Sequence, residues 1–132
     1  MVTAVNSILG QYNFAIDTGA QGTYNVGIKI PIKTYMTGIH IGIITSFTSG
    51  GAATIDFGYS PIGSVVAANA NAFTSGGAIA IASLVSTGQA GYSIATTMFA
   101  GSFAYNLTMR INAADLTAGR AIITPIFTYM QY

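Results

Sequence analysis

At 132 residues the chain is long enough for one domain with a real core, and its lack of cysteine excludes both a disulfide framework and a thiolate metal site. Hydrophobic residues make up 52% and charged residues 5%, against roughly 25% charged in ordinary globular proteins, which excludes disorder of the charged, apolar-poor kind. A formal net charge of +1 gives no long-range field to steer the chain toward nucleic acid.

The N-terminal stretch Met1 to Phe14 has neither a basic start nor a long apolar run, so it does not read as a signal peptide. Residues 1–11 are read as an extended docking arm on a single domain spanning 1–132. From there on, nearly every extended segment alternates apolar and polar residues, the mark of a strand with one buried face. Tyr12 to Thr18 is the first such segment. Val26-Gly27-Ile28-Lys29-Ile30 follows, with Lys29 marking the wet side. Ile39, Ile41 and Ile43 alternate with His40 and Gly42; Ala53, Ile55 and Phe57 alternate with Thr54 and Asp56. Further strands are expected at Ser64 to Ala68, Ala78 to Val85 and Tyr92 to Phe99.

The clearest pattern runs from Phe103 to Asn112. Phe103, Tyr105, Leu107, Met109 and Ile111 point one way, toward a core, and Ala104, Asn106, Thr108, Arg110 and Asn112 point the other. A helical turn is expected at Asp115 to Gly119, with Asp115 capping its start and Gly119 ending it. The last strand runs from Arg120 to Met130, and Pro125 within it argues for an edge position or a bulge. Sixteen glycines, with Ser, Thr and Asn, supply turns between these runs. Short strands joined by such turns indicate an all-β fold, a single antiparallel β-sandwich of jelly-roll-like form.

The charges are placed unevenly. Only Asp17, Lys29, Lys33, Asp56, Arg110, Asp115 and Arg120 carry one, and none occurs from Phe57 to Met109. A surface this neutral has little colloidal repulsion and suits a protein that lives assembled. A membrane is the competing destination. The longest apolar run, Ala78 to Val85, is far short of the roughly 20 residues of a spanning helix. Alternating strands leave a membrane barrel open, and the scarcity of long loops argues against one.

Catalytic and cofactor chemistry find no purchase. The one histidine, His40, falls on the same face as Asp56 if Phe47 to Gly51 closes a hairpin, but no G-x-S-x-G elbow accompanies them, and a surface pair is the expectation. Three Asp and no Glu make no metal-ligand cluster, and no phosphate-binding glycine motif occurs. Asn106-Leu107-Thr108 matches a glycosylation pattern but lies within the best strand. Four cations spread along the chain make no basic stripe for nucleic acid.

Interface candidates are aromatic. Phe47-Thr48-Ser49-Gly50-Gly51-Ala52 recurs as Phe73-Thr74-Ser75-Gly76-Gly77-Ala78, either two loops shaped by the same turn chemistry or a pair of tips at one end of a sandwich. Tyr129, Met130 and Tyr132 close the chain with residue types enriched at interfaces, and this tail either docks on a neighbour or packs on its own sandwich. Phe47, Phe73, Tyr129, Met130 and Tyr132 are therefore the candidate contact residues.

Gly38 to Gly58, Leu107 to Ile111 and Asp115 to Arg120, followed by a terminal aromatic strand, carry a resemblance. They resemble small all-β structural proteins of tailed bacteriophages, found on virions as head decoration, cement or fibre components. The shared features are a strand ending in T-x-F-T-x-G-G, a T-[IVL]-D-x-G strand, and a late L-T-A-G turn before a strand ending in Tyr. They are turn and strand patterns, and no catalytic residue comes with them. The resemblance implies a non-enzymatic virion protein that decorates or cements the head through contacts with other virion proteins, the major capsid protein first, and with copies of itself, as a trimer. A tail, baseplate or fibre component binding a receptor or glycan is the alternative. A small hydrolase or carbohydrate-binding module comes last. Neither a cofactor, a metal, nucleic acid nor a membrane is among the expected partners.

Overall fold

The computed structural model describes residues 6–7, 10–63, 67–74, 77–85, 91–100 and 104–129. Nine strands account for most of them: β1 (Asn6–Ser7), β2 (Gly10–Asn13), β3 (Gly22–Ile30), β4 (Thr34–Ser49), β5 (Thr54–Pro61), β6 (Ile79–Ala80), β7 (Gly91–Ala100), β8 (Tyr105–Asn112) and β9 (Leu116–Tyr129). They form two antiparallel sheets. One has the order β1/β2, β9, β4, β7, with β1 and β2 following one another along the same side of β9; the other has the order β3, β8, β5, β6. The pairs β2·β9, β3·β8, β4·β7 and β5·β6 are nested, as in a long two-stranded ribbon folded back at the connection between β5 and β6 and rolled into a sandwich. That nesting is the jelly roll.

Burial follows the period-two patterns. Val26, Ile28 and Ile30 of β3 and Tyr105, Leu107, Met109 and Ile111 of β8 are buried, while Lys29 is exposed. Met36, Ile39, Ile41 and Ile43 of β4 meet them from the other sheet, with Tyr12, Ala121 and Ile123. Tyr12 stacks on Phe47 with ring centroids 5.7 Å apart, and its hydroxyl donates to the Thr18 carbonyl.

Several expectations are corrected by pairing the sequence does not display locally. The segment from Tyr12 to Thr18 leaves the sheet at Asn13. A single helical turn, α1 (Phe14–Asp17), follows, because Asn13 Oδ1 accepts the Ala15 N–H at 3.1 Å and Asp17 Oδ2 accepts the Asn13 N–H at 2.9 Å. Residues 116–119 are strand rather than helix: Leu116 and Ala118 pair with Ser49 and Thr48, and Asp115 accepts the Gln21 N–H instead of capping a helix. Gly119 sits at φ 148°, where a Cβ would lie 2.8 Å from the Phe47 ring, so glycine is required there twice over.

Of the two expectations for Pro125, the edge is overturned, since β1/β2 flank β9 on one side and β4 on the other, while the β4·β9 register does shift between Met36 and Gly38, next to the Ile39–Pro125 pair. Pro125 pairs with Ile39 of β4, and the described ladder on the opposite side breaks between Ile126 and Ile123, where a residue without an N–H is tolerated. The expected strand from Ala78 to Val85 is only two residues long before a 3₁₀ turn at Ile81–Ser83 carries the chain toward the other sheet, where Leu84 O accepts the Phe47 N–H. Of the expected strand at Ser64 to Ala68, residues 64–66 lie outside the described residues, and Ala67–Ala68 is not strand. Phe103 is also outside them.

Two buried tyrosines make the fold alkali-sensitive. Burial pushes the Tyr12 hydroxyl up to about 12, with Tyr24 and Asp17 adding to it, and burial with a contribution from Tyr59 does the same at Tyr105. In the unfolded chain both titrate near 10. Between pH 10 and 12 the unfolded state therefore holds fewer protons than the folded one, and stability falls as pH rises. We expect the thermal midpoint to drop across that window and to drop less in Tyr105→Phe; equal pH slopes for the two proteins would contradict this account.

Candidate functional site

The outer face of the β3-β8-β5-β6 sheet carries the polar half of the β8 pattern and is where the structure concentrates its chemistry. Asp56 and Arg110, the charges that bound the uncharged stretch of sequence, are register partners on β5 and β8. Arg110 Nη2 donates to Asp56 Oδ2 at 2.8 Å, and Asn112 Nδ2 donates to the same oxygen at 2.6 Å. Thr74 Oγ1 donates to Oδ1 at 2.7 Å while accepting the Phe57 N–H at 3.3 Å. Asp56 is 3% exposed. Its burial on the nominally wet face has a simple cause: residues 69–74 return across β5 and cover it. Asn69 and Tyr59 exchange two backbone hydrogen bonds, and the Phe73 N–H donates to Phe57 O. Gly58 permits that close approach, because a Cβ there would meet Asn69 O at 2.0 Å.

Beside this covering segment lies a cleft of about 340 Å³. Asn106 and Thr108 of β8, Thr23 and Asn25 of β3, and Tyr59 and Ser60 of β5 line it with Ala68 and Ala70. The strand register explains the grouping: Thr108 lies between Asn25 and Gly58, and Ser60 is opposite Asn106. None of the lining side chains is charged. Thr108 is 4% exposed, and its Oγ1 is closed to water with no hydrogen-bond partner, as is Arg110 Nε. An unpaired buried hydroxyl costs about 1–3 kcal/mol. Sequence reasoning placed Asn106, Thr108 and Arg110 on one polar face but had no local signal for the segment that walls it.

The other candidates fall elsewhere. His40 is exposed on the opposite sheet, its Nδ1 3.0 Å from Ser93 Oγ, so the expected neighbourhood with Asp56 is overturned. The reason is that residues 50–53 carry the chain between sheets instead of closing a hairpin; both sides of β4 are already taken by β9 and β7. Among the described residues no hydrogen bond joins an acid to His40 or Ser93, and no group of three His, Asp or Glu suited to a metal occurs. No helix among them is long and apolar enough to cross a membrane.

Phe47 and Phe73, two of the candidate contact residues, are 4% and 6% exposed and pack within their own chain. Of the terminal candidates, Tyr129 pairs with Thr34 at the end of β9, and Met130 and Tyr132 lie outside the described residues. Within the expected arm, Asn6–Ser7 and the start of β2 pair with β9. The outer face of that sheet is low and carries one fixed charge, Arg120: Gly38, His40 and Gly42 sit opposite Ile126, Thr124 and Ile122, with Ile44 and Ile126 47% and 41% exposed.

No protein-family model matches the chain, and no curated protein is significantly similar to it in sequence. Solved structures do share the fold. A chain in the acidic stable capsid structure of Helicobacter pylori bacteriophage KHP30 superposes with a TM-score of 0.67 at 9% identity, over 100% of this chain and 97% of that one. A chain of the capsid of Ralstonia phage GP4 gives 0.64 at 18% identity, over 100% and 88%. A chain of the cyanophage Pam1 capsid asymmetric unit gives 0.59 at 12%, over 96% and 85%. The jelly roll seen here is thus one also present in three phage capsids.

The Asp56 network generates a prediction. Asp56→Asn keeps the volume but points an amide donor at donors from Arg110, Asn112 or Thr74. We expect a loss of about 2–4 kcal/mol in chemical denaturation, below the full cost of breaking a buried pair because Arg110 can rehydrate. The deficit should persist in 1 M salt, since a buried pair is poorly screened. Gly58→Ala should cost about 1–3 kcal/mol by the same assay, as backbone must move to admit the methyl.

Proposed function

We propose that the chain is a non-enzymatic structural protein of a phage virion, placed on the head as a capsid decoration or cement protein. The observation that carries the reading is the near end-to-end match of this jelly roll to chains in three phage capsids, covering at least 85% of each of those chains. Composition supports it independently. Only 5% of residues are charged, and Asp56 and Arg110 neutralise one another within the fold. What is left to meet a partner is surface with five scattered charges, Asp17, Lys29, Lys33, Asp115 and Arg120, and with exposed apolar residues, Ile16, Ile32, Ile44 and Ile126 among them. Such a surface is satisfied by many moderate contacts with neighbouring protein, here the major capsid protein and symmetry copies of the chain, in a trimer. The low face of the β1/β2-β9-β4-β7 sheet and the C-terminal residues Tyr129, Met130 and Tyr132 are the contact surfaces in this reading.

The polar cleft gives the alternative, a tail, baseplate or fibre component that binds a receptor or glycan, a physical basis of its own. Counting copies per purified particle separates the two. A head protein is present in the hundreds and its removal lowers the temperature at which heads release their genome. A handful of copies per particle moves the chain to the tail. A monodisperse monomer at high concentration that fails to bind heads lacking it would overturn the assembly reading.

A further inference from the structure

We propose that the cleft between β3, β8 and residues 68–70 is a binding site for a neutral polyhydroxyl ligand, a saccharide unit. This holds for a head or a tail location alike. The cleft is of the size of the smaller ligand pockets, about 340 Å³ against roughly 300–1,000 Å³ in general. Its polar side chains are those of Thr23, Tyr59, Ser60, Asn25 and Asn106, with Thr108 at the floor, its hydroxyl turned away from water. Each of these side chains can both donate and accept, which is what a sugar hydroxyl also does. No lining side chain is ionised; the flanking cations are Arg110, opposite Thr23 and paired with Asp56, and Lys29, opposite Asn106. A neutral ligand is met by the lining groups alone.

The residue that distinguishes a site from a dent is Thr108. It lies between Asn25 and Gly58, and Gly58 contributes no side chain to crowd it. Its hydroxyl has no partner in the free protein. A change of χ1 to another staggered position redirects the hydroxyl, and the rotamer that turns it to the cleft is stabilised when a ligand group is there to meet it. Ala68 and Ala70 supply apolar wall for the C–H face of a ring. A peptide strand is disfavoured as occupant. Here β8 is paired on both sides, by β3 and β5, so over β8 the cleft offers side-chain groups and not main-chain pairing; the end of the sheet lies at β3.

The test is a titration of the full chain, by ligand-observed NMR and calorimetry, with glucose, galactose, rhamnose and N-acetylglucosamine, with glycerol and a neutral Gly-Ser-Thr peptide as controls. We expect at least one sugar to bind saturably with a Kd on the order of millimolar, as befits so small a ligand, and unchanged by added salt. Thr108→Val should weaken it about tenfold, the loss of one hydrogen bond. The variant should unfold at the same or a higher temperature, because it removes an unpaired buried hydroxyl. Ala68→Phe, at an exposed position on the rim, should abolish binding with the fold intact and keeps the test open if Thr108→Val fails to fold. No saturable binding of any sugar, binding indifferent to both variants, or preference for the peptide would overturn the proposal. None of these outcomes bears on copy number, so the site and the virion role stand or fall separately.

Discussion

The buried carboxylate of Asp56 is the constraint on which the functional face depends. Removing a carboxylate from water costs several kcal/mol unless its oxygens are met by good donors. Here three side chains meet them, two from β8 and one, Thr74, from the segment that returns over β5. The requirement fixes the β5·β8 register at Asp56 and Arg110, and it holds residues 69–74 against the sheet. With Gly58 admitting that segment at contact distance, the space left beside it becomes the cleft. Ion pair, covering segment and cleft are one arrangement.

The two outer faces of the sandwich consequently differ. One is polar, partly roofed and concave; the other is low, with Gly38 and Gly42 on either side of His40 and isoleucines on the neighbouring strand. Few charges are available to advertise either face. A neutral surface forms contacts whose strength comes from fit and area more than from long-range attraction, so salt should tune them little.

Much of the fold was legible because period-two alternation is a local signal. The β8 residues Tyr105, Leu107, Met109 and Ile111 and the β3 residues Val26, Ile28 and Ile30 are buried as that alternation requires. What was not legible is which strands pair. The sequence around Ser49 suits a hairpin, yet the strands flanking it lie in different sheets, because β4 finds its partners in β7 and β9 far along the chain. Asp56 reads as a solvent residue in a strand considered alone, and only the return of residues 69–74 buries it. The turn at Phe14–Asp17 had a signal that was passed over: Asn13 and Asp17 stand where short polar side chains can bond nearby backbone N–H groups. At Asp115 to Gly119 the reverse holds, and sheet pairing with β4 outweighs a plausible helical turn.

The nested pairing also governs when the molecule can exist. Its C-terminal strand, β9, is internal to its sheet, flanked by segments from the beginning of the chain and by β4. Synthesis delivers that strand after all of its partners, β1, β2 and β4. Until it arrives, β4 has only one partner and β1 and β2 have none, so the first sheet waits for closure of very long loops. A nascent chain of this topology is an array of unpaired, nearly uncharged strand edges, which is the condition most exposed to aggregation. Folding is therefore slow for a domain of this size, and a truncation within β9 should abolish the fold where the loss of a true edge strand would only trim it.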